Sequence, residues 1–412
     1  MTDDAKRAPS PRGLDWRAKL KRSWWIDALW TQYKSRKQER TIRHDDRHYR
    51  ARATTLDVPA ELPDQTLRDR LRLRYSARGF NVRATTAPHV VYATPLDEWE
   101  RHNIPPALRS VGRLTPFYLR EHGFDDRAPD WTSIRGALDE ALLAFVRETH
   151  GRDPIDVFVA YLSGYHITAA TIRAIGALGI PTCAYWWDDR LYFRGYTRGG
   201  RFTGAHDLAS AYDLNLTNSS TSIVKYLVEG GLAMFWPEGA NPGHFRPLPG
   251  HPFRYDVSFI GQRYGRRPAF IRGLRQRGLR VQTFGPGWDE GPITAEEMVD
   301  VYASSRVNLG ISGIGYSIRE MCLKGRDFEV PMCGAVYVTG DQPDLSRVYE
   351  KGKEIFAYRS VDDCAKIIHR LLSNPVECEQ ARAAARARCV HDHTWERRFR
   401  KAFDVLGVLS ND

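Results

Sequence analysis

Residues able to do chemistry are concentrated at a few points. Arg266 and Arg267 stand together before Pro268, where a helix is predicted to begin. A helix N-terminus is a poor place for two cations unless an anion sits there, although a solvated surface pair would have the same sequence. Asp188 and Asp189 follow a predicted strand at 181–186. Two adjacent carboxylates can hold a metal, but capping a helix or making a turn is their commoner use. His166 lies just beyond another predicted strand. His391 and His393 are two apart, a spacing that does not converge on one ion from a helix. We therefore expect no metal site.

Several chemistries are excluded by what is missing. Gly285, Gly287 and Gly291 miss the dinucleotide spacing by one residue, and Gly310, Gly313 and Gly315 have it reversed, so both groups read as turns. There is no phosphate-binding P-loop, no zinc-protease H-E-x-x-H and no G-x-S-x-G elbow. The six cysteines are scattered without a C-x-x-C pair, which fits reduced thiols in a cytoplasmic chain.

These residues need a frame. Short apolar runs at 89–94, 114–118, 156–161, 181–186 and 214–217 alternate with helix-length stretches at 104–111, 133–149, 168–178 and 222–229. The densest Pro/Gly stretch follows, from Pro237 to Pro252. Strand-like runs then resume at 256–261, 280–284, 306–311, 335–339 and 354–358, with helices at 268–277, 295–303, 326–333 and 362–372 and a helical stretch from 376 to 406. Near-continuous apolar strands separated by helices predict parallel β-α-β units covered on both faces. The expectation is two doubly wound Rossmann-type domains facing a cleft, at 51–236 and 253–390. They are joined by a linker at 237–252 and closed by a C-terminal helix at 391–412.

The 412 residues are 42% hydrophobic and 27% charged, as a globular chain of two domains requires. Mean hydropathy is −0.49, and no apolar run is long enough to span a bilayer. The net charge is +11, of which residues 1–50 supply +7. That segment also carries Trp16, Trp24, Trp25 and Trp30, with no Pro or Gly after Gly13, and reads as a basic helical extension. Such a helix could pack on its own domain, lie on an anionic membrane surface through residues 14–50, or contact RNA. The first 25 residues do not read as a secretory signal, so the expected location is the cytoplasm, with attachment to the inner membrane face left open.

The segment Arg326-Asp327-Phe328-Glu329-Val330-Pro331-Met332-Cys333-Gly334, running into apolar 335–339, resembles the donor-site signature of GT-B glycosyltransferases, specifically the CgeB-like (spore maturation protein CgeB-type) group. The 256–261 strand with Arg266, Arg267 and Pro268, the Phe284-Gly285-Pro286-Gly287-Trp288 passage and His393-Thr394-Trp395-Glu396-Arg397 agree with it in order. So do Trp186-Trp187-Asp188-Asp189 and the passage from Asp213 to Asn218 in the first half. The resemblance covers about residues 155–400.

It implies a GT-B-like fold and a metal-independent transferase, with a nucleotide-diphosphate sugar as co-substrate and no cofactor. The acceptor would be a glycan, lipid-linked sugar, protein or small molecule, and no nucleic acid is expected. Glu329 would accept the ribose hydroxyls. Arg263, Arg266, Arg267, Lys324 and Arg326 would meet the diphosphate, helped by N–H groups at the start of the helix carrying Glu329. Gly261, Gly313 and Gly334 would let backbone approach the donor. A base from Asp188, Asp189 or His166 would take the acceptor proton. The wider retaining pattern has a second Glu eight residues before the ribose-binding one. Here that position is Met321, with Glu320 beside it, and the anomeric outcome is left unassigned. A sugar-nucleotide epimerase or hydrolase on the same frame is the second reading. A non-enzymatic nucleic-acid or membrane-surface protein ranks third.

Overall fold

The computed structural model describes residues 24–410, with side chains from residue 28 onward. The basic residues before Trp24, Trp16 and the side chains of Trp24 and Trp25 lie outside the described residues. Helices α1 (Trp24–Thr55) and α2 (Asp64–Ala77) precede the first sheet.

The first domain runs β1 (His89–Thr94), α3 (Glu98–Arg101), α4 (Ile104–Val111), β2 (Arg113–Tyr118), α5 (Trp131–Arg152), β3 (Val157–Ala160), α6 (Ala169–Gly176), β4 (Thr182–Trp186), α7 (Asp189–Tyr192), β5 (Leu214–Thr217), α8 (Ile223–Val228) and β6 (Ala233–Phe235). A two-strand hairpin, Thr197–Arg198 with Arg201–Phe202, stands apart from the main sheet. The sheet order is β2-β1-β3-β4-β5-β6, with every pair parallel. β1, β3, β4 and β5 are buried at every position, which is why they read as unbroken apolar runs. Strand β6 was not expected, since three residues are too few to show a period.

The second domain runs β7 (Tyr255–Ile260), α9 (Arg267–Arg275), β8 (Val281–Phe284), α10 (Ala295–Ala303), β9 (Ser305–Leu309), α11 (Arg326–Met332), β10 (Tyr337–Gly340), β11 (Phe356–Tyr358), α12 (Val361–Ser373) and α13 (Pro375–Asp392). Its parallel sheet has the order β8-β7-β9-β10-β11. Alternate strand residues feed two cores: Val257, Phe259, Val307 and Val338 on one face, and Ile260, Phe284 and Tyr337, with Phe328 of α11, on the other.

The helical stretch predicted at 376–406 is two helices, and the second leaves its domain. α14 (Trp395–Leu406) buries Trp395, Phe399, Phe403 and Leu406 in the core of the first domain. The break is enforced locally. Thr394 caps α14 by accepting the Arg397 amide, and buried His393 donates from Nε2 to the Val348 carbonyl at 2.7 Å. Arg398 binds both crossings, donating to the carbonyls of Pro237 and Glu238 and to His393 Nδ1.

Helix α1 is a third crossing. Its Glu39 and Arg43 meet Ser317 and Glu320 of the second domain, while Asp46 and Arg52 meet Arg190 and Glu229 of the first. Ile42, Tyr49 and Ala53 are buried beneath it. Most of the described helix is therefore packed on its own chain. Among the described residues no helix is long and apolar enough to cross a membrane.

Candidate active site

In open parallel sheets, ligands bind beyond the carboxyl ends of the strands where the strand order reverses. That point lies between β7 and β9 in the second domain and between β1 and β3 in the first.

In the second domain, Gly261 ends β7 with φ 155°, and two guanidiniums converge on it. A Cβ there would come within 3.0 Å of Arg326 Nη1 and 3.5 Å of Arg267 Nη1. Both cations also lie over the Phe259 ring. Arg267 is 7% exposed and donates to the Gln262 carbonyl at 3.0 Å. Arg326 Nε is buried with no hydrogen-bond partner. Neither side chain forms an ion pair among the described residues. Burial, then the neighbouring Arg326, lowers the Arg267 pKa to about 10. One buried and one half-buried guanidinium, adjacent and without an ion-pair partner among the described residues, form an arrangement that an anion would stabilise.

Glu329 stands on α11, half-buried, with the Tyr302 hydroxyl donating to Oε2 at 3.3 Å. Burial pushes its pKa up to about 7, against the pull of Arg326. Arg266 and Arg267, indistinguishable in sequence, part company here. Arg266 is half-buried at the start of α9 and takes no part in the convergence on Gly261. Arg263 is exposed over the Trp288 ring. Gly313 is needed inside its own loop, where a Cβ would fall 1.9 Å from the Ser317 carbonyl.

Two donor-side expectations are corrected. The amides of Lys324, Asp327, Phe328 and Glu329 are already bonded, the first to the Asp327 carboxylate and the others to the carbonyls of Lys324 and Gly325. They are not free for a diphosphate. Gly334 sits at the opposite end of α11. It has φ 64° and closes a Schellman turn through Gly334 N to Pro331 O and Ala335 N to Val330 O. Its role is to end the helix beside Pro247.

Lys324 is turned toward the first domain, where it forms an ion pair with Asp188. Cys322 Sγ donates to the same Asp188 oxygen at 2.9 Å. Burial would raise the Asp188 carboxyl, but Lys324 and Cys322 outweigh it and hold it below the usual range. Asp188 has φ 56°, rare for a residue with a side chain, and it begins α7. This turn sends Asp189 inward, where it is 2% exposed and takes the Tyr226 hydroxyl at 2.6 Å. Burial raises its pKa. Asp189 thus anchors α8 and is poorly placed as a base.

A carboxylate that sequence reasoning passed over lies beside the Asp188–Lys324 pair. Glu238, in the Pro/Gly linker, is 7% exposed and accepts from Asn218 Nδ2 at 3.1 Å. Burial pushes it up to about 8, so it holds a proton at neutral pH. Asn218 also donates to the Leu323 carbonyl, tying this group to the second domain. No local signal marked it: the preceding strand ends at Phe235 after only three residues, and the stretch reads in sequence only as a hinge.

Glu320 is engaged elsewhere: Arg43 and Arg190 both bind its carboxylate. Met321, eight before Glu329, packs its sulfur toward Gly340.

At the first-domain switch point is a pocket of about 210 Å³ lined by Asp97, Asp126, Tyr161, Ser163, His166, Trp187 and Tyr192, with Asp189 also in its wall. His166 accepts the Ser163 amide at Nδ1 and turns Nε2 toward Asp126 at 3.5 Å. Burial would raise Asp126, but His166 and Arg120 together hold it at about 2. The Nε2 atom is buried without a hydrogen-bond partner among the described residues, so Ser163 fixes the ring with Nε2 facing Asp126.

Residues 266–404 match the model of a family described as glycosyl transferase-like. No curated protein matches the sequence. Among solved structures, Alr3699/HepE of Anabaena, determined with UDP and glucose, is 14% identical; the match covers 77% of this chain and 99% of that one, with a TM-score of 0.54. A glycosyltransferase from Rickettsia africae is 10% identical over 78% of this chain and 98% of its own, with a TM-score of 0.55. Sucrose-phosphate synthase from Thermosynechococcus elongatus is 13% identical over 77% and 99%, with a TM-score of 0.51. At such identities the structural likeness speaks to the fold, and the family match adds the class of its second half. By fold the chain has the two-domain GT-B architecture, and its residues 266–404 are glycosyl transferase-like.

Proposed function

We propose that the protein moves a sugar from a nucleotide-diphosphate sugar, held in the second domain, to an acceptor hydroxyl in the first-domain pocket. The observation that carries this reading is the convergence of Arg267 and Arg326 on Gly261 without an ion-pair partner. A diphosphate supplies the missing negative charge. When the bond between the anomeric carbon and the phosphate oxygen breaks, the electron pair leaves with the diphosphate, and two preorganised guanidiniums stabilise that charge. Glu329, steadied by Tyr302, accepts from the ribose hydroxyls as a carboxylate.

The acceptor oxygen forms the new bond and gives up its proton. Asp188 is the candidate base, being ionised and next to the donor side. A donor phosphate that competes for Lys324 would loosen the Asp188–Lys324 pair and raise the Asp188 pKa, so donor binding would activate the base. Glu238 is the second candidate proton carrier. The carboxylates and aromatic faces of the first-domain pocket suit a hydroxyl-rich acceptor. The exposed Leu29, Trp30 and Tyr33, beside Arg36, Lys37 and Arg40, suit contact with an anionic membrane surface. Sedimentation with anionic vesicles tests that contact; loss of binding in a Leu29, Trp30 and Tyr33 triple Ala variant supports it, and unchanged sedimentation refutes it.

A thermal-shift panel of nucleotide sugars tests the main reading. The correct donor at about a hundred times its Kd adds about 2.7 kcal/mol of stability. Product analysis then separates the alternatives: sugar joined to an acceptor supports transfer, whereas sugar only epimerised or only released overturns it.

A further inference from the structure

Three side chains from three parts of the chain meet away from the groups just described. His102 follows α3 in the first domain, His244 lies in the linker, and Glu296 is in the first turn of α10 in the second domain. One ligand atom from each lies within 4.8 Å of the others. The two imidazoles are stacked, with ring centres 4.7 Å apart and planes 25° from parallel. His244 Nε2 is buried and has no hydrogen-bond partner. The backbone around them is fixed: Asn241 Nδ2 donates to the His102 carbonyl at 2.9 Å, and the His244 amide donates to the Asn241 carbonyl at 3.1 Å.

We propose that His102, His244 and Glu296 bind a borderline divalent cation of the zinc class and so bolt the two domains to their linker. Two imidazoles and one carboxylate are a donor set that suits zinc and its transition-metal neighbours rather than magnesium or calcium. Bonds of about 2.0–2.2 Å to a tetrahedral ion bring donors to roughly 3.4 Å from each other. The exposed Glu296 side chain is free to close most of that difference. Glu98 can supply a fourth ligand: its carboxylate lies 3.7 Å from His102 Nε2 and is 80% exposed. The ion ties three segments from the first domain, the linker and the second domain. It takes no part in the transfer chemistry.

Zinc titration of the chelator-treated full chain, by calorimetry and by thermal melting, tests this. One equivalent should bind and raise the melting temperature. His244→Ala and His102→Ala should each weaken binding by more than about tenfold. Exposed Glu296→Gln, which has no core packing to lose, should weaken it by about threefold or more. His391→Ala, at an exposed histidine elsewhere, should bind like the parent. UDP affinity should be unchanged in all four variants, which separates failure here from failure of the donor-site reading. Substoichiometric zinc, or affinity that survives both His244→Ala and Glu296→Gln, overturns the proposal.

Discussion

Asp188 at the end of a first-domain strand is ion-paired with Lys324 of the second domain, and the Cys322 thiol shares the same carboxylate oxygen. Removing one member leaves the other charge largely buried and unpaired, which costs about 3 kcal/mol. Lys324→Met and Asp188→Asn should each destabilise the chain by about that much. The double variant should cost clearly less than the sum, as contacting residues do. Urea unfolding of all three measures the coupling, and strict additivity would show that the pair does not interact.

Burial holds Glu329 at about 7, above its ordinary 4.5. With the proposed ribose contact made by its ionised form, affinity for a nucleoside diphosphate should rise as pH climbs through about 7 and level off above it. Glu329→Gln should lose about tenfold in affinity and flatten the profile. Equal profiles in both proteins would remove Glu329 from the ribose.

Two buried groups should make the stability of the chain depend on pH in opposite senses. Burial and Arg398 depress His393 from 6.5 to about 4, so its contribution is present above about 6.5 and lost as pH falls through about 4. Glu238 is raised from 4.5 to about 8, so its contribution is present below about 4.5 and lost as pH rises through about 8. Melting temperatures from about pH 4 to about pH 9 read both limbs. Glu238→Gln should remove the loss between about pH 4.5 and about pH 8 and leave the His393 loss in place; an unchanged profile would contradict the assigned burial.

Phe399 belongs to the last helix yet is fully buried in the first-domain core against Trp236. Phe399→Ala should destabilise the chain by about 4 kcal/mol. Hydrogen exchange should show the loosening in β5 and β6, far away in sequence. Loosening confined to α13 would mean that α14 does not dock there.

The two parallel sheets were legible because strands covered on both faces write long apolar runs, as in Val157–Ala160. Strand β6 was not, being three residues long, nor was the return of α14, whose apolar face has the same pattern whichever domain it covers. Arg266, Arg267 and Arg326 read alike in sequence as cations for a diphosphate, and only packing shows Arg267 buried and Arg266 half-buried. Gly334 misled because a helix-ending glycine and a ligand-approaching one look alike before φ and neighbours are known. Glu238 went unread because its high pKa comes from burial at a domain crossing, a long-range property that no local motif records.

The central claim is that Arg267 and Arg326 meet the donor diphosphate at Gly261. Calorimetric titration with UDP and GDP, and with uridine and guanosine, tests it on the parent chain, Arg267→Ala and Arg326→Ala. Each variant should lose about tenfold or more in diphosphate affinity while nucleoside affinity changes little. Equal losses for both ligands, or none for either, would contradict the account.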